Sequence, residues 1–439
     1  MASHNDTIAA IATAPGTGGV GIIRISGSDA FDIAKKLSHN ASFQPRYAHF
    51  RHFYHADKQL IDTGLLLFFP NPASFTGEDV VEIQAHGGHV VMHMLLAEVI
   101  RLGARMARPG EFSERAFLNN KIDLLQAEAI ADLIAGGSEQ AVFASQRSLQ
   151  GDFSKQVNAI LAQLIEIRVW LESAIDFPEE EIDFLADQQL HQQLTELKLS
   201  IEKLRQKSRS GVVLNKGISI AIIGAPNVGK SSLLNALTEE DTAITSDIAG
   251  TTRDVIKADV LIHGIPVRLV DTAGIRESDN PIEQQGIEKA RAIQASCDVI
   301  LTVYDGSEKI SEIVKTDESE LSVINKIDQL HPDNERLSPD LWLSAKTGDG
   351  IESLKQRIVD SVKGGDINEN SFTARQRHIE QLNMTQQHVN YAEQHLKNYV
   401  GELAAEELRL AQNSLNAITG EFTSDDLLGE IFSSFCIGK

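Results

Sequence analysis

Residues 218–237 read ISIAIIGAPNVGKSSLLNAL. The run Ile218 to Ile223 is apolar and β-branched, the pattern of a strand buried on both faces. GAPNVGKSS at 224–232 follows it, and SLLNAL then takes up a helical spacing. This strand–loop–helix order is the context a phosphate loop requires. Glycines at 224 and 229 let backbone N–H groups curl around phosphate without a Cβ in the way. The helix opening at Lys230 turns its positive end toward the same point. Lys230 is expected to reach the β and γ phosphates and the Ser231 hydroxyl to bind magnesium, with Asn227, Val228, Gly229 and Ser232 completing the loop.

Three downstream motifs narrow the nucleotide. DTAG at 271–274 ends the strand run VRLV, which puts Asp271 at the magnesium shell, Gly274 at the γ phosphate, and Thr272 and Ala273 between them. NKID at 325–328 follows LSVI and supplies Asn325, Lys326 and Asp328. A carboxylate at 328 accepts from both N1–H and the N2 amino group of guanine, whereas adenine offers no matching pair of donors. SAK at 344–346 adds Ser344, Ala345 and Lys346, and a backbone contact to the guanine oxygen. In GTTRD (250–254), Thr251 or Thr252 is the switch threonine that closes on magnesium. Four motifs in this order predict a guanine-nucleotide domain.

Hydrolysis is less legible. Ras-like enzymes place a glutamine just after the DxxG to orient water, but Ile275 stands here and cannot hydrogen-bond it. Glu277 and Glu283 follow and are carboxylates of suitable type, although their position alone favours reading them as solvated loop charge. Arg253 and Arg276 flank the site, and a monovalent cation beside Asn227 is another source of positive charge.

Outward from this segment, the 439 residues divide by pattern. Val20 to Ser26, Thr63 to Phe69 and Val80 to Gln84 read as strands, interleaved with helical stretches Asp29 to Leu37 and Val90 to Leu102. Residues 1–120 are expected to form an α+β domain. From about Phe117 to Arg209 apolar residues recur at helical spacing, and helices return after Asp366. The expected architecture is multidomain, α+β and α/β: a helical domain from 121–212 and 367–439, with a Ras-like P-loop domain inserted at 213–366. Gly211 and Gly364–Gly365 read as its hinges.

Charge adds a constraint. The net charge is −22, of which 1–120 carries −1, 213–366 carries −10 and the remainder −11. Such a chain repels phosphate backbones, so nucleic acid is expected to be held mainly by a partner. Composition is that of a globular protein, with 42% hydrophobic and 23% charged residues. Apolar runs fall short of the ~18 residues a membrane span needs. Two cysteines, Cys297 and Cys436, make no disulfide framework. A cytoplasmic protein without membrane association is expected. GxGxxG at Gly16, Gly18 and Gly21 precedes a strand rather than a helix, so it is read as a loop, not a dinucleotide site. The histidines at 49–55 and 86–93 lack the spacing of a metal site, and Glu179 to Asp183 reads as a solvated helix start.

GGVGIIRISG at 18–27, PGEFSERAFLNNKIDL at 109–124, GAPNVGKSS, GTTRD and the terminal CIGK together resemble the bacterial tRNA-modification GTPases of the MnmE or TrmE family, over essentially the whole chain. The resemblance implies a homodimer of three-part subunits. With a flavin-dependent partner, MnmG, it would build a carboxymethylaminomethyl or aminomethyl group on carbon 5 of the wobble uridine of certain tRNAs. A formyl- or methylene-tetrahydrofolate would supply the one-carbon unit, and 1–120 would bind it and dimerise. The resemblance also implies a nucleotide loop of Ser246, Asp247, Ile248, Ala249, Gly250, Thr251 and Thr252, and potassium held by Asn227, Ser246, Ile248 and Thr251. Magnesium falls on Ser231 and Thr252, and the water-positioning carboxylate on Glu283 before GlnGlnGlyIleGlu. Folate falls on Arg24, Glu82, Lys121 and Lys439, and a functional thiol on Cys436. The rival reading, a regulatory GTPase of ribosome-assembly type, would call for a basic RNA-binding module, and no lysine- or arginine-rich stretch follows the G segment.

Overall fold

The computed structural model describes residues 6–176, 188–239, 256–271, 297–313, 320–362, 371–420, 425–433, 435 and 438. The chain packs as two compact units, Met1–Ala131 with Asn416–Lys439, and Asp132–Leu415.

In the first unit β1 (Ile8–Ile11), β2 (Gly18–Ser26), β3 (His49–Tyr54), β4 (Leu60–Phe69), β5 (Val80–Gly87) and β6 (Arg105–Met106) form one sheet, ordered β3-β4-β5-β2-β1-β6. Alternate residues of the central strands, Ile23, Ile25, Leu66 and Ile83, face helices α1 (Ala30–Ser38) and α2 (His89–Arg101). This is the period-two burial expected of a sheet covered on one side. The expected strands and helices are all present. β3 was not anticipated, because HFRHFY mixes an arginine and histidines with other rings, and β1 and β6 are too short to announce themselves. The loop expected at the GxGxxG is corrected in part: Gly18 and Gly21 lie in β2, where a Cβ on Gly21 would run into Met92 of α2. That glycine makes room for a helix.

Helix α3 (Glu111–Leu118) follows, then α4 (Leu124–Ala135). Leu124 and Ala127 pack with Ile431, Phe432 and Phe435. The end of the chain therefore joins the first unit, whereas its periodicity had grouped it with the helical segments.

In the second unit α5 (Glu139–Leu149), α6 (Asp152–Asp176) and α7 (Gln188–Lys216) are joined by α10 (Gln376–Lys397) and α11 (Gly401–Thr419), the last of which runs on to Thr419. α7 packs along α6 and α10. Gly211 is not a hinge. It lies inside α7, and a Cβ there would strike the carbonyl oxygen of Phe372, so the glycine permits a close backbone approach. Gly364–Gly365 and the acidic run 179–183 lie outside the described residues.

Between α7 and α10 a second sheet comprises β7 (Ile218–Gly224), β8 (Ile256–Ile262), β9 (Ile265–Asp271), β10 (Val299–Asp305), β11 (Glu320–Asn325) and β12 (Leu341–Trp342), with α8 (Lys230–Glu239) and α9 (Ile351–Ser361). The order is β12-β11-β10-β7-β9-β8, parallel except where β8 pairs antiparallel with β9. Ile220, Ile222, Leu301 and Val323 are fully buried among Leu233, Leu237, Leu354 and Ile358, as parallel strands covered on both faces must be. Gly224, Asp271, Asp305 and Asn325 all stand at carboxyl ends of parallel strands, where open α/β sheets present their ligand crevice.

Candidate functional site

Asn325 organises the crevice. Its side chain is buried; Nδ2 donates to the Val228 carbonyl at 2.9 Å, and Oδ1 accepts from the Ala345 amide at 3.0 Å. One amide thus joins the 224–232 loop, the 325–328 motif and the 344–346 motif. Gly229, at φ +96, gives it room, since a Cβ there would collide with Nδ2. Lys326 Nζ donates to the Asn227 carbonyl at 2.8 Å and pairs with Asp305 at 2.5 Å. Burial works against ionisation of Asp305, but Lys326 and Ser307 outweigh it and hold the carboxyl below its ordinary pKa. Sequence reasoning missed Asp305; the Asp-Gly turn that ends the apolar run VILTVYD was its available signal.

Asp328 is held by Ser344, whose Oγ donates to Oδ1 at 2.7 Å and keeps the carboxylate below its usual pKa. It lines a cavity of ≈ 460 Å³ with Gly229, Ser232, Asn235, Lys326 and Lys346, a size suited to a small ligand. Lys230 folds back across the loop, its Nζ donating to the carbonyls of Gly224 at 2.8 Å and Ala225 at 2.9 Å. Ser231 is exposed in the first turn of α8. The backbone of Asp271 ends β9, opposite Ile222 and Ile256. The structure therefore gathers Asn227, Val228, Gly229, Lys230, Asn325, Lys326, Asp328, Ser344 and Ala345 at one end of one sheet. Ser246, Asp247, Ile248, Ala249, Gly250, Thr251, Thr252, Thr272, Ala273, Gly274 and Glu283 lie outside the described residues.

In the first unit, Arg24 on β2 and Glu82 on β5 are cross-strand partners. Arg24 Nε donates to Glu82 Oε1 at 3.0 Å, a second nitrogen reaches the Gly438 carbonyl at 3.3 Å, and the guanidinium stands over the Phe112 ring at 5.8 Å. Their side chains are only 24% and 18% exposed, so they are not free surface charges. Lys121 Nζ donates to the Pro72 carbonyl at 2.9 Å, and no contact among the described residues brings it to Arg24. Lys439 and Cys436 lie outside the described residues. Sequence reasoning also missed the buried network beside this pair. Arg115 donates to Asp6 at 2.7 Å, to Glu78 at 3.1 Å and to Glu111 at 3.3 Å, and Arg105 reaches Glu111 at 2.5 Å. The spacing of Glu111 and Arg115, one helical turn apart, was its signal.

Among the described residues no three His, Cys, Asp or Glu side chains converge on a metal position, and no helix is long and apolar enough to cross a membrane. Residues 7–121 match the family described as GTP-binding protein TrmE N-terminus, and residues 124–436 match the MnmE helical domain. A relative from Hydrogenovibrio crunogenus, named tRNA modification GTPase MnmE, is 49% identical over 449 residues, 100% of this chain and 99% of that protein. The protein of the same name from Francisella tularensis subsp. holarctica is 48% identical over 448 residues, 99% of each. The chain belongs to the MnmE family of tRNA modification GTPases. The G domain of the T. maritima FeoB iron transporter aligns at 22% identity over 33% of the MnmE-family chain and 98% of its own, with a TM-score of 0.25. In this MnmE-family chain one end of the second sheet thus gathers a glycine-bounded loop at a helix N-terminus, a lysine ammonium folded over it, and a hydrogen-bonded carboxylate across the cavity.

Proposed function

We propose that this chain is the GTP-hydrolysing subunit of a tRNA wobble-uridine modification, built as an inserted G domain at 213–366 in a helical domain, with 1–120 binding the one-carbon donor. The observation that carries the reading is the Asn325 staple, which ties phosphate loop, NKID and SAK into one cavity edged by Asp328. Asp328 would accept the two guanine donors, and Ser344 fixes the carboxylate in the ionised, acceptor-only form that this requires. The Lys230 ammonium, now satisfied by two carbonyls, would exchange them for β and γ phosphate oxygens.

Magnesium suits the hydroxyls proposed for it, Ser231 and Thr252, and would neutralise phosphate charge. Potassium would be held by Asn227, Ser246, Ile248 and Thr251 and would supply the positive charge that an arginine gives in other GTPases. Glu283 takes the place of the missing glutamine and orients water. Two chains would associate as a homodimer, with their G domains completing this arrangement.

For the folate derivative, Arg24 and Glu82 form a half-buried pair of opposite charge beside the tail carbonyl of Gly438, chemistry suited to a pterin edge and a glutamate tail. Lys121 and Lys439 are assigned to the same ligand, and Cys436 lies in the same tail. The −22 charge of the chain favours tRNA being held chiefly by the flavin-dependent partner MnmG, in the cytoplasm. The test is complementation. A bacterial strain lacking its own copy should lack the wobble-uridine modification and regain it with this gene, whereas normal modification without the gene would overturn the proposal.

A further inference from the structure

β8 and β9 form a hairpin that reaches from the nucleotide end of the G domain to the helical segments. Its free ends are the residues on either side of the two switch motifs: β8 begins at Ile256, two residues after GTTRD, and β9 ends at Asp271, the first residue of DTAG. The strands are paired rung for rung, Ile256 with Asp271 through to Ile262 with Ile265. Seven rungs make a ribbon about 20 Å long. The turn, His263–Gly264, has positive φ at both positions, 50° and 77°, the tight two-residue geometry that leaves the hairpin no slack.

That turn is seated on two sides. Within the G domain, His263 Nε2 lies 2.7 Å from Glu352 Oε1 on α9, so the turn moves with its own domain. Toward the helical segments, a Cβ on Gly264 would come within 2.6 Å of the Gln140 side-chain amide, and the Pro266 ring stands where a Cβ on Gly137 would meet it at 3.6 Å. Behind it, Gly217, where α7 hands over to β7, approaches the Pro266 carbonyl so closely that a Cβ would stand 2.6 Å away. The far end of α5 is held as well. Arg147 donates to the Ser371 carbonyl at 2.6 Å, and the Thr373 amide donates to Ser148 Oγ at 3.0 Å, on the segment that returns from the G domain. One short helix thus touches the switch hairpin at its N-terminus and the returning chain at its C-terminus.

We propose that α5 senses the nucleotide state of the G domain through the His263–Pro266 turn, the hairpin carrying displacement of the switch ends to Gly137 and Gln140. The inference rests on the guanine-nucleotide reading above and adds to it the route by which the helical segments sense the switch. Coupling of this kind requires an element whose arrangement both sites bias, and the hairpin qualifies by ending at both switches and at α5.

The experiment is hydrogen–deuterium exchange by mass spectrometry on the full chain, loaded with GDP or with a non-hydrolysable GTP analogue in potassium chloride and magnesium chloride. The amides of residues 139–149 should exchange at different rates in the two states. In the double variant Gln140→Ala/Pro266→Ala, which removes both side-chain contacts and leaves the switch residues intact, that difference should vanish while affinity for a fluorescent GTP analogue is unchanged. Gln140→Asn, a milder change, should reduce the difference and serves if the double variant does not fold. Identical exchange of α5 in both states of the wild-type chain would overturn the proposal, as would a difference that survives undiminished in the variants. Failure of the wild-type chain to bind the fluorescent analogue would instead overturn the nucleotide reading itself.

Discussion

In the proposed site Asp328 would discriminate bases by presenting two acceptors and no donor, with Ser344 donating to its Oδ1. Asp328→Asn replaces one acceptor with an amide donor that faces guanine's own donors. GTP affinity should fall on the order of a hundredfold, and xanthosine triphosphate, which carries an oxygen where guanine carries the amino group, should gain; fluorescence titration with both nucleotides checks this. Glu111 poses a different problem. Burial opposes its ionisation, but Arg105, the Arg108 amide and Arg115 outweigh that and hold its pKa below the ordinary value. A depressed folded-state pKa contributes stability that is present above the ordinary carboxylate value of about 4.3. The contribution is lost as pH falls through the lower folded value. Melting followed between pH 7 and pH 3 should therefore show an acid limb below about pH 4. Glu111→Gln should flatten part of that limb and, by leaving Arg105 and Arg115 short of a partner, destabilise by about 3–5 kcal/mol at neutral pH. An unchanged melting profile would show the network to be slack.

At the scale of elements, α7 gives the sharpest contrast between sequence and packing. Gly211→Ala should gain about 1 kcal/mol of helix propensity. The added methyl meets the Phe372 carbonyl, however, and overpacking against backbone costs about 1–3 kcal/mol. The expected outcome is a lower melting temperature; a higher one would restore the hinge reading. The same residue shows where the sequence was silent. A glycine between two patterned segments reads alike whether it bends the chain or lets two backbones touch, and only Phe372, distant in sequence, decides. The phosphate loop, NKID and SAK were legible because phosphate and guanine chemistry dictate residue types at fixed spacing on strand ends. HFRHFY of β3 was not, because Phe53 is its only fully buried residue, set among exposed or half-buried rings and an arginine. Asp305 was missed for a related reason: its role depends on Lys326, a partner just past the end of the neighbouring strand.

At the scale of the molecule, charge and packing set the remaining expectations. With −22 overall, the chain alone should bind tRNA weakly, and its affinity should fall steeply as salt rises. A filter-binding series from low to physiological salt measures this, and tight binding at physiological salt without a partner would contradict it. The packing of Phe432 and Phe435 onto Leu124 brings the end of the chain to the unit that holds Arg24 and Glu82, a tertiary fact no periodicity could reveal. The central claim is that this G domain, with Ile275 where Ras-like enzymes place the water-orienting glutamine, hydrolyses GTP with the help of an alkali ion and Glu283. The most direct measurement is the initial rate of GTP turnover by the full chain at equal ionic strength in potassium chloride and in sodium chloride, with Glu283→Ala alongside. The account predicts much faster turnover in potassium and none in the variant, with nucleotide binding retained; equal rates in both salts, or normal turnover by the variant, would contradict it.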